Sequence, residues 1–340
     1  MLAGGAGGYV GLMMKAVVLE EFGSAPVLRS VERPAPGPGE VVVRVAASGV
    51  NPLDTKIMAG AAAHARVRPP MVLGMDLAGV VTELGEGVSG FDTGDEVYGL
   101  TGGVGDNPGS LAEYAAVDAS LLAKKPERLS MAEAAALPLA AITAWEGLVD
   151  RAAVGPGQLV LVHGGAGGVG HVAVQLALAR GATVFATGTG ESLAMIKSLG
   201  AEPIDYRATP VADYVRAATG DQGFDVILDT VGGTTLDDSF AAVRTYTGHV
   251  ASILGWGTHS LAPLSFRGAT YSGVFTLLPL LTGNGRAHHG EILRAVADLV
   301  DDGKITPVLD RQRYDLTTVA AAHRAVADGT ARGKVVVHVS

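Results

Sequence analysis

The chain has 340 residues, of which 48% are hydrophobic and 17% charged, and it carries a formal net charge of −9 at pH 7. This length exceeds one ordinary hydrophobic core, so two domains are expected, and the negative charge argues against nucleic acid and anionic membranes as partners. The absence of cysteine excludes disulfides, thiolate nucleophiles and cysteine-ligated metals.

The N-terminal segment, residues 1–13, is mostly glycine and alanine and has no basic leader. We expect it to be disordered and to carry no secretion signal. The longest apolar run, residues 274–281, contains Pro279 and is too short to cross a bilayer. We therefore expect a cytoplasmic protein with no membrane-spanning segment.

Short apolar runs separated by glycine and proline fill about the first 125 residues. Their composition and alternation are typical of β-strands, and their succession without helical patterns predicts a small barrel. The predicted strands are residues 15–20, 27–31, 41–47, 72–74, 77–84, 96–99 and 112–117.

The pattern changes at Ser130, which forms a capping box with Glu133 and predicts the start of a helix. Pro138 is expected to interrupt that helix, and a second helix is predicted over residues 141–151. Strands and helices then alternate, which implies a parallel sheet covered on both faces. The predicted strands are 159–162, 181–187, 225–230, 249–254 and 334–339, and the helices are 171–180, 192–199, 236–243, 291–300 and 318–327.

A glycine cluster joins the strand at 159–162 to the next helix. Gly165, Gly167 and Gly170 satisfy G-x-G-x-x-G. In that motif the first glycine allows a tight turn, the second lets the backbone approach a pyrophosphate, and the third lets helix and strand pack closely. The helix N-terminus behind them offers unpaired N–H groups to the pyrophosphate. The unit predicts a dinucleotide site; the alternative is a glycine-rich turn without a ligand.

Seven motifs follow one another along the chain, at residues 47–54, 74–81, 91–97, 165–170, 225–233, 303–307 and 332–336. On these motifs the chain, from residue 15 onward, resembles the zinc-independent branch of the medium-chain dehydrogenase/reductase superfamily, the quinone oxidoreductase-like proteins. The resemblance implies an α/β fold, with a GroES-like β-barrel domain formed by residues 1–138 and 283–340. Residues 139–282 would form a Rossmann NADP-binding domain with a doubly wound parallel sheet. It also implies a homodimer, with cofactor and substrate in the cleft between the domains.

The positions that match the zinc ligands of metal-dependent relatives are occupied by Asn51, Met75 and Leu139, none of which can bind zinc. We therefore expect no metal. The resemblance then implies hydride transfer to an acceptor whose conjugation spreads the developing charge, such as a quinone or an α,β-unsaturated carbonyl. His288 and His289 are the only adjacent histidine pair. They could form a metal site, or they could lie in a solvated loop or at a helix start.

The tip of the second strand of the dinucleotide-binding unit, residues 187–189, has no carboxylate to hold a ribose 2′-hydroxyl, so NADPH is the expected cofactor. Glu191 lies just beyond and is expected to open the next helix. Many relatives carry a lysine at the position of Ser192, where it would pair with the 2′-phosphate. The cations that could replace it here are Lys197, Arg207 and Arg332.

The resemblance also places Thr143 beside the nicotinamide and Tyr206 beside the 2′-phosphate. The predicted cofactor-binding residues are Thr143, Gly165, Gly167, Gly168, Val169, Gly170, Thr187, Gly188, Thr189, Ser192, Tyr206, Val231, Ser252, Leu254, Gly255 and Arg332.

Two residues are candidates for catalysis. Asn51 is expected to point into the cleft as an amide donor; the alternative is an Asn-Pro turn residue, with Asp54 capping a short helix. Lys56 stands where several relatives have a tyrosine. Either it donates a proton to the acceptor, or it is a surface side chain and water supplies the proton. His163 is expected to be packed at a strand end, and His171 to lie on a helix surface near the phosphates.

The sequence therefore predicts an NADPH-dependent reductase of quinones or related small electrophiles. An enoyl-thioester or alkenal reductase is the alternative within enzymes. A protein of the same fold that binds NADPH without turnover is the alternative outside them.

Overall fold

The computed structural model describes residues 12–340, so most of the tail predicted to be disordered lies outside the described residues. Strand β1 begins at Met13, two residues earlier than predicted. The strands of the described residues are β1 Met13–Leu19, β2 Val27–Glu32, β3 Glu40–Gly49, β4 Met71–Val72, β5 Asp76–Leu84, β6 Glu96–Leu100, β7 Tyr114–Asp118, β8 Leu122–Lys124, β9 Leu159–Val162, β10 Thr183–Gly188, β11 Glu202–Asp205, β12 Val226–Asp229, β13 His249–Ser252, β14 Thr270–Gly273, β15 Tyr314–Asp315 and β16 Val336–His338.

Most of the helices lie in the second half of the chain. They are α1 Pro52–Met58, α2 Met131–Ala135, α3 Pro138–Trp145, α4 Gly170–Ala179, α5 Glu191–Ser198, α6 Val211–Thr219, α7 Thr234–Ala242, α8 Ala262–Arg267, α9 Leu278–Thr282, α10 Arg286–Asp301 and α11 Val319–Ala327. A π-helix, Glu146–Arg151, continues α3, and short 3₁₀ helices occupy Ala63–Ala65 and Ala119–Leu121. Within the described residues, no helix is long and apolar enough to cross a bilayer.

The first large sheet has the strand order β15-β16-β3-β5-β6-β8, and β7 pairs with the free part of β3. Valines from β3 and β5 fill its core and are almost fully buried, as the alternating pattern of those strands predicts. Strand β16 pairs antiparallel with β3, so both ends of the described chain build this sheet. A separate, smaller sheet has the strand order β2-β1-β4 and is built from the N-terminal part of the described chain.

The second large sheet is parallel, with the order β11-β10-β9-β12-β13-β14. Counted from β9, this is the 3-2-1-4-5-6 order of a doubly wound dinucleotide-binding sheet. The order reverses between β9 and β12, and ligands of such sheets bind at that reversal, beyond the carboxyl ends of the strands. The predicted fold class is confirmed. The domain boundaries at 138/139 and 282/283 stay a prediction.

Several elements differ from the sequence expectation. Ser130 caps α2 as predicted, but Pro138 occupies the first turn of α3, where its missing N–H costs nothing, so α3 starts there. Strands β11 and β14 and helix α6 were not predicted. The two strands are four-residue edge strands of the sheet with mixed polarity. Helix α6 is clearly amphipathic, so its pattern was available in the sequence and was overlooked.

Candidate functional site

Two cavities meet at the glycine loop that joins β9 to α4. The larger, of about 1290 Å³, lies over the carboxyl ends of β9, β10 and β12. The smaller, of about 410 Å³, lies between this loop and the segment around α1. Gly167 and Gly333 line both cavities. The position matches the reversal point of the parallel sheet, where a dinucleotide is expected.

The glycines of the loop have roles that differ from those predicted. The tight turn is at Gly164, whose φ is 69°, and not at Gly165. A Cβ on Gly165 would lie 2.5 Å from the Cβ of Ala186, so this residue lets the loop pack on β10. A Cβ on Gly170 would lie 2.1 Å from the carbonyl oxygen of Gly164, so the start of α4 packs on the loop itself. Gly167 lines both cavities, where its lack of a Cβ would let a pyrophosphate approach the backbone.

The tip of β10 shapes the larger cavity through backbone contacts. The hydroxyl of Thr187 accepts a hydrogen bond from the N–H of Gly164 at 3.0 Å. The hydroxyl of Ser192 accepts from the N–H of Thr189 at 2.7 Å and caps the turn before α5. No carboxylate lies on the tip itself. Glu191 begins α5 as predicted and lines the cavity.

Arg332 is the one of the three candidate cations that lines the larger cavity. Its guanidinium lies 3.2 Å from the carboxylate of Glu191, and both side chains are largely exposed, so this pair contributes little to stability. Tyr206 lines the same cavity. Arg311 also lines it and was missed by the sequence analysis, because no motif includes it.

The predicted cofactor residues divide into three groups. The larger cavity is lined by Gly167, Thr187, Gly188, Thr189, Ser192, Tyr206, Val231 and Arg332. The smaller is lined by Thr143, Gly167, Gly168, Val169 and Leu254. Neither cavity wall includes Gly165, Gly170, Ser252 or Gly255. Ser252 is 1% exposed and donates to Asp229, so it supports the strand end rather than facing a ligand, which corrects the expectation for this residue.

His171 does not lie on a helix surface, as the sequence suggested, but is 1% exposed. Its Nε2 accepts a hydrogen bond from the N–H of Val308, and its Nδ1 bonds the carbonyl oxygen of Gly167. Burial lowers the pKa of His171 to about 4, so the ring is neutral at pH 7. The imidazole thus links the glycine loop to the segment before β15. His163 is packed at the end of β9 as predicted, with 3% exposure.

Asn51 lines the smaller cavity but is only 1% exposed. Its amide N–H donates to Asp76 at 2.9 Å, and its amide oxygen accepts from the ammonium of Lys334. The predicted role as a donor to a ligand is therefore not the one the geometry favours. Asp54 accepts from the N–H of Asn51 at 2.8 Å and caps α1, as predicted.

Lys334 was missed as a site residue, although it stands in a motif that carried the resemblance. It is 5% exposed, lines the smaller cavity, and lies 3.7 Å from the carboxylate of Asp76. The other oxygen of Asp76 accepts from the N–H of Leu139. Burial raises the pKa of Asp54 to about 7, raises that of Asp76 and lowers that of Lys334, while their opposite charges act against each shift.

The other walls of the smaller cavity are mostly apolar and aromatic. His64, Trp256 and Phe275 form a ring cluster there, with ring-centroid distances of 4.9 Å from His64 to Trp256 and 6.2 Å from Trp256 to Phe275. The sequence did not group them, because they lie in three separate segments of the chain: the 3₁₀ helix Ala63–Ala65 and two loops. Lys56 lines this cavity and is exposed to solvent.

The positions compared with zinc ligands carry an amide, a buried thioether and an alkyl side chain, at Asn51, Met75 and Leu139. Over residues 12–340, there is no group of three or more His, Cys, Asp or Glu side chains that could hold a metal ion. His288 lies near the start of α10 and pairs with Asp150, whereas His289 is fully buried rather than solvated.

Comparison with known proteins places this geometry among dehydrogenases. Residues 37–127 match the model of the alcohol dehydrogenase GroES-like domain, and residues 199–337 match that of a zinc-binding dehydrogenase domain. The chain is 34% identical, over 96% of its length and 79% of the relative's, to an NADPH-dependent alkenal/one oxidoreductase of Arabidopsis thaliana, described as chloroplastic.

Two solved structures are similar over almost their whole length. One is an alcohol dehydrogenase superfamily protein from Novosphingobium aromaticivorans, with 54% identity, a TM-score of 0.94, and coverage of 96% of this chain and 100% of that one. The other is the quinone oxidoreductase from Coxiella burnetii, with 30% identity, a TM-score of 0.81, and coverage of 97% and 100%.

Proposed function

Because the chain belongs to the quinone oxidoreductase-like branch of the medium-chain dehydrogenase/reductase superfamily and is an NADPH-dependent oxidoreductase, we propose that it reduces quinones or related conjugated carbonyls without a metal. The observation that carries the proposal is the character of the smaller cavity. It is mostly apolar and aromatic, and it adjoins the glycine loop. Its lining includes the ammonium group of Lys334, which already donates to the amide oxygen of Asn51.

The aromatic wall favours a planar, electron-poor acceptor. His64, Trp256 and Phe275 offer ring faces and edges, on which a quinone or an enone can stack. Trp256 is 51% exposed although it lines the cavity, so its indole is available to a ligand at the mouth. A conjugated acceptor spreads its developing negative charge over its own π-system, so it needs positioning more than a Lewis acid.

The residues that would hold NADPH are those of the glycine loop and the β10 tip, with Gly167 at the pyrophosphate and Arg332 at the 2′-phosphate. Thr143 in the smaller cavity would lie on the nicotinamide side. When bound, NADPH supplies the hydride for the acceptor. The chain contributes the compact loop, which only glycine permits, and the apolar cavity walls that would position the acceptor.

An acceptor panel tests the proposal. Oxidation of NADPH, and separately of NADH, would be followed with menadione, trans-2-hexenal and crotonyl-CoA as acceptors. We expect turnover with NADPH and menadione. Turnover confined to trans-2-hexenal or crotonyl-CoA would instead identify an alkenal or enoyl-thioester reductase. Tight NADPH binding, seen by nicotinamide fluorescence, with no oxidation in the whole panel would identify a non-catalytic NADPH-binding protein.

We also propose a homodimer and a cytoplasmic location. The dimer is supported by β14, an edge strand of the parallel sheet whose outer backbone groups face no strand among the described residues. Several large apolar side chains near this edge are exposed, including Leu261, Phe266 and Leu278. Sedimentation equilibrium tests the dimer, and a monomer at micromolar concentration would contradict it. Fractionation of cells that express the tagged protein tests the location.

A further inference from the structure

A row of polar side chains leads from the smaller cavity to Glu146, at the end of α3. Thr143 and Thr276 both line the cavity, and their hydroxyl oxygens are 2.9 Å apart. The hydroxyl of Thr276 donates to the carboxylate of Glu146 at 3.3 Å. The Glu146 side chain is 15% exposed but is not part of the cavity wall. The row therefore connects a carboxylate that water can reach with the interior of the cavity.

The backbone at Glu146 explains how the row is assembled. Thr143 and Glu146 are three residues apart, a spacing that places two side chains on one face of a helix. At Glu146 the α-helix α3 gives way to the π-helix Glu146–Arg151, an uncommon conformation that is frequent at functional sites. Thr276 comes from the segment after β14, so the row bridges two separate parts of the chain.

The second oxygen of the Glu146 carboxylate faces His289. The Nε2 atom of this fully buried histidine is 3.5 Å from it, beyond normal hydrogen-bond distance. Within the described residues neither ring nitrogen of His289 has a hydrogen-bond partner. The Glu146 carboxylate thus lies between this buried imidazole and the Thr276 hydroxyl.

We propose that Glu146, Thr276 and Thr143 form a proton relay that delivers the proton required in reduction of the acceptor. The inference rests on the proposed function, because it assumes an acceptor in the smaller cavity. The acceptor gains a hydride and becomes an anion, and it then needs one proton. The Glu146 carboxylate first takes a proton from the solvent. The O–H bond of the resulting carboxyl group then breaks as one O–H bond forms on the reduced acceptor, which restores the carboxylate.

The hydroxyl groups have the capacity that this transfer requires. A threonine hydroxyl carries one hydrogen and can accept two hydrogen bonds. At rest, the Thr143 hydroxyl donates to the carbonyl oxygen of Leu139 at 2.6 Å, and Thr276 donates to Glu146. In the transfer, Glu146 gives its proton to Thr276, Thr276 gives its own to Thr143, and Thr143 gives its own to the acceptor. Each hydroxyl ends with one hydrogen.

Other candidate donors at this cavity are less suited. Lys334 already donates to Asn51 and lies in a buried charge cluster, so loss of its proton would leave the carboxylate of Asp76 uncompensated. Lys56 is exposed at the cavity, where water competes with it as a donor. The relay instead combines access to water at one end with a buried hydroxyl at the other.

The first test compares Thr276→Val, Thr276→Ser and Glu146→Gln with the wild type. We expect Thr276→Val and Glu146→Gln to lower kcat with the best acceptor of the panel by about 10²-fold, the lower end for general acid–base catalysis. Their NADPH affinity, measured by nicotinamide fluorescence, should stay within about twofold. Thr276→Ser keeps the hydroxyl and should keep most of kcat. The solvent deuterium isotope effect on kcat should change in the two relay variants and not in Thr276→Ser.

The matched control is Thr282→Val, at an exposed threonine of α9 whose hydroxyl donates to the carbonyl oxygen of Leu278 and accepts from the N–H of Asn284, away from the smaller cavity. If Thr276→Val and Glu146→Gln kept the kcat and the solvent deuterium isotope effect of the wild type, the relay would be overturned. An equal loss in Thr276→Ser and Thr276→Val would also overturn it, because packing rather than the hydroxyl would then matter. In either case the wild-type enzyme would still reduce the acceptor, so the proposed function would stand.

A second measurement does not depend on turnover. In the cofactor-free protein, infrared difference spectra of wild type against Glu146→Gln isolate the bands of the Glu146 carboxyl group. We expect Thr276→Val to shift these bands, because it removes the hydrogen bond to the carboxylate. Unshifted bands would overturn the relay even if no acceptor were reduced, whereas a wild type inactive with the whole panel would overturn the proposed function.

Discussion

The ammonium group of Lys334 donates a hydrogen bond to the amide oxygen of Asn51, although the two residues are 283 positions apart in the chain. The contact lies at the wall of the smaller cavity, just before β16 on one side and at the N-terminus of α1 on the other. Asp76 completes the cluster by accepting from Asn51 and Leu139. A single cation thus ties together segments that line the smaller cavity.

Replacing Lys334 with methionine should destabilise the protein by about 3–5 kcal/mol at pH 8, because Asp76 loses its buried counter-charge. The loss should be smaller at pH 5, because the raised pKa of the Asp76 carboxyl lets it become neutral. Denaturant unfolding at the two pH values measures both effects. The control is Lys304→Met, at an exposed lysine paired with Asp302. Equal losses for Lys304→Met and Lys334→Met would contradict the role of the cluster.

Arg332 should set the preference for NADPH, since it is the only one of the three candidate cations at the larger cavity. Arg332→Ala should weaken NADPH binding about tenfold, equivalent to one lost charge-assisted contact of about 1.4 kcal/mol, and leave NADH binding unchanged. Glu191→Gln should strengthen NADPH binding, because Arg332 loses its competing partner. Fluorescence titrations check both variants. Arg207→Ala is the control. If it weakened NADPH binding as much as Arg332→Ala does, Arg332 would not be the residue that sets the preference for NADPH.

Trp256→Ala should raise KM for menadione by about 2–13-fold, the effect of losing an aromatic contact of about 0.5–1.5 kcal/mol. The effect on trans-2-hexenal should be smaller, because a short alkenal has less surface to stack. Phe266→Ala is the matched control, since Phe266 is 87% exposed and lies outside the cavity. Steady-state kinetics of the three proteins give the comparison. A menadione KM that is unchanged in Trp256→Ala would remove the aromatic cluster from the acceptor site.

His323 should make the protein less stable as the pH falls. Burial lowers its pKa from 6.5 to about 4, so between these values the unfolded state binds the proton that the folded state excludes. From pH 8 to pH 5 this should cost about 2 kcal/mol of the free energy of unfolding. His323→Leu should remove that part of the pH dependence and should also remove two ring nitrogens that have no hydrogen-bond partner within residues 12–340.

The free energy of unfolding is measured for wild type and His323→Leu at pH 8 and pH 5, and the difference between the two proteins is compared at the two pH values. Asp54 acts in the opposite direction, because its raised pKa of about 7 lets the folded state bind a proton more tightly than the unfolded state. Its contribution is common to both proteins and cancels. If His323→Leu kept the full wild-type dependence on pH, the buried neutral form of His323 could not be its source.

Local pattern was sufficient for much of the fold. The alternation of strands and helices after residue 159 predicted the parallel sheet, and the capping box at Ser130 predicted the start of α2. The glycine cluster predicted the loop between β9 and α4, although it is Gly164 and not Gly165 that makes the turn. These features depend on periodicity and on short-range sterics, and residues a few positions apart determine them.

What the sequence determined by itself is the architecture and the kind of ligand: a doubly wound sheet, a glycine loop for a dinucleotide, and a β10 tip without a carboxylate. Only the tertiary structure decided which side chains meet in the cavities. Lys334 reaches Asn51, His171 turns inward to Val308, and Thr276 joins Glu146 to Thr143. The partners in these contacts are up to 283 positions apart. Their meeting depends on how whole sheets and helices pack, which no local pattern of the sequence records.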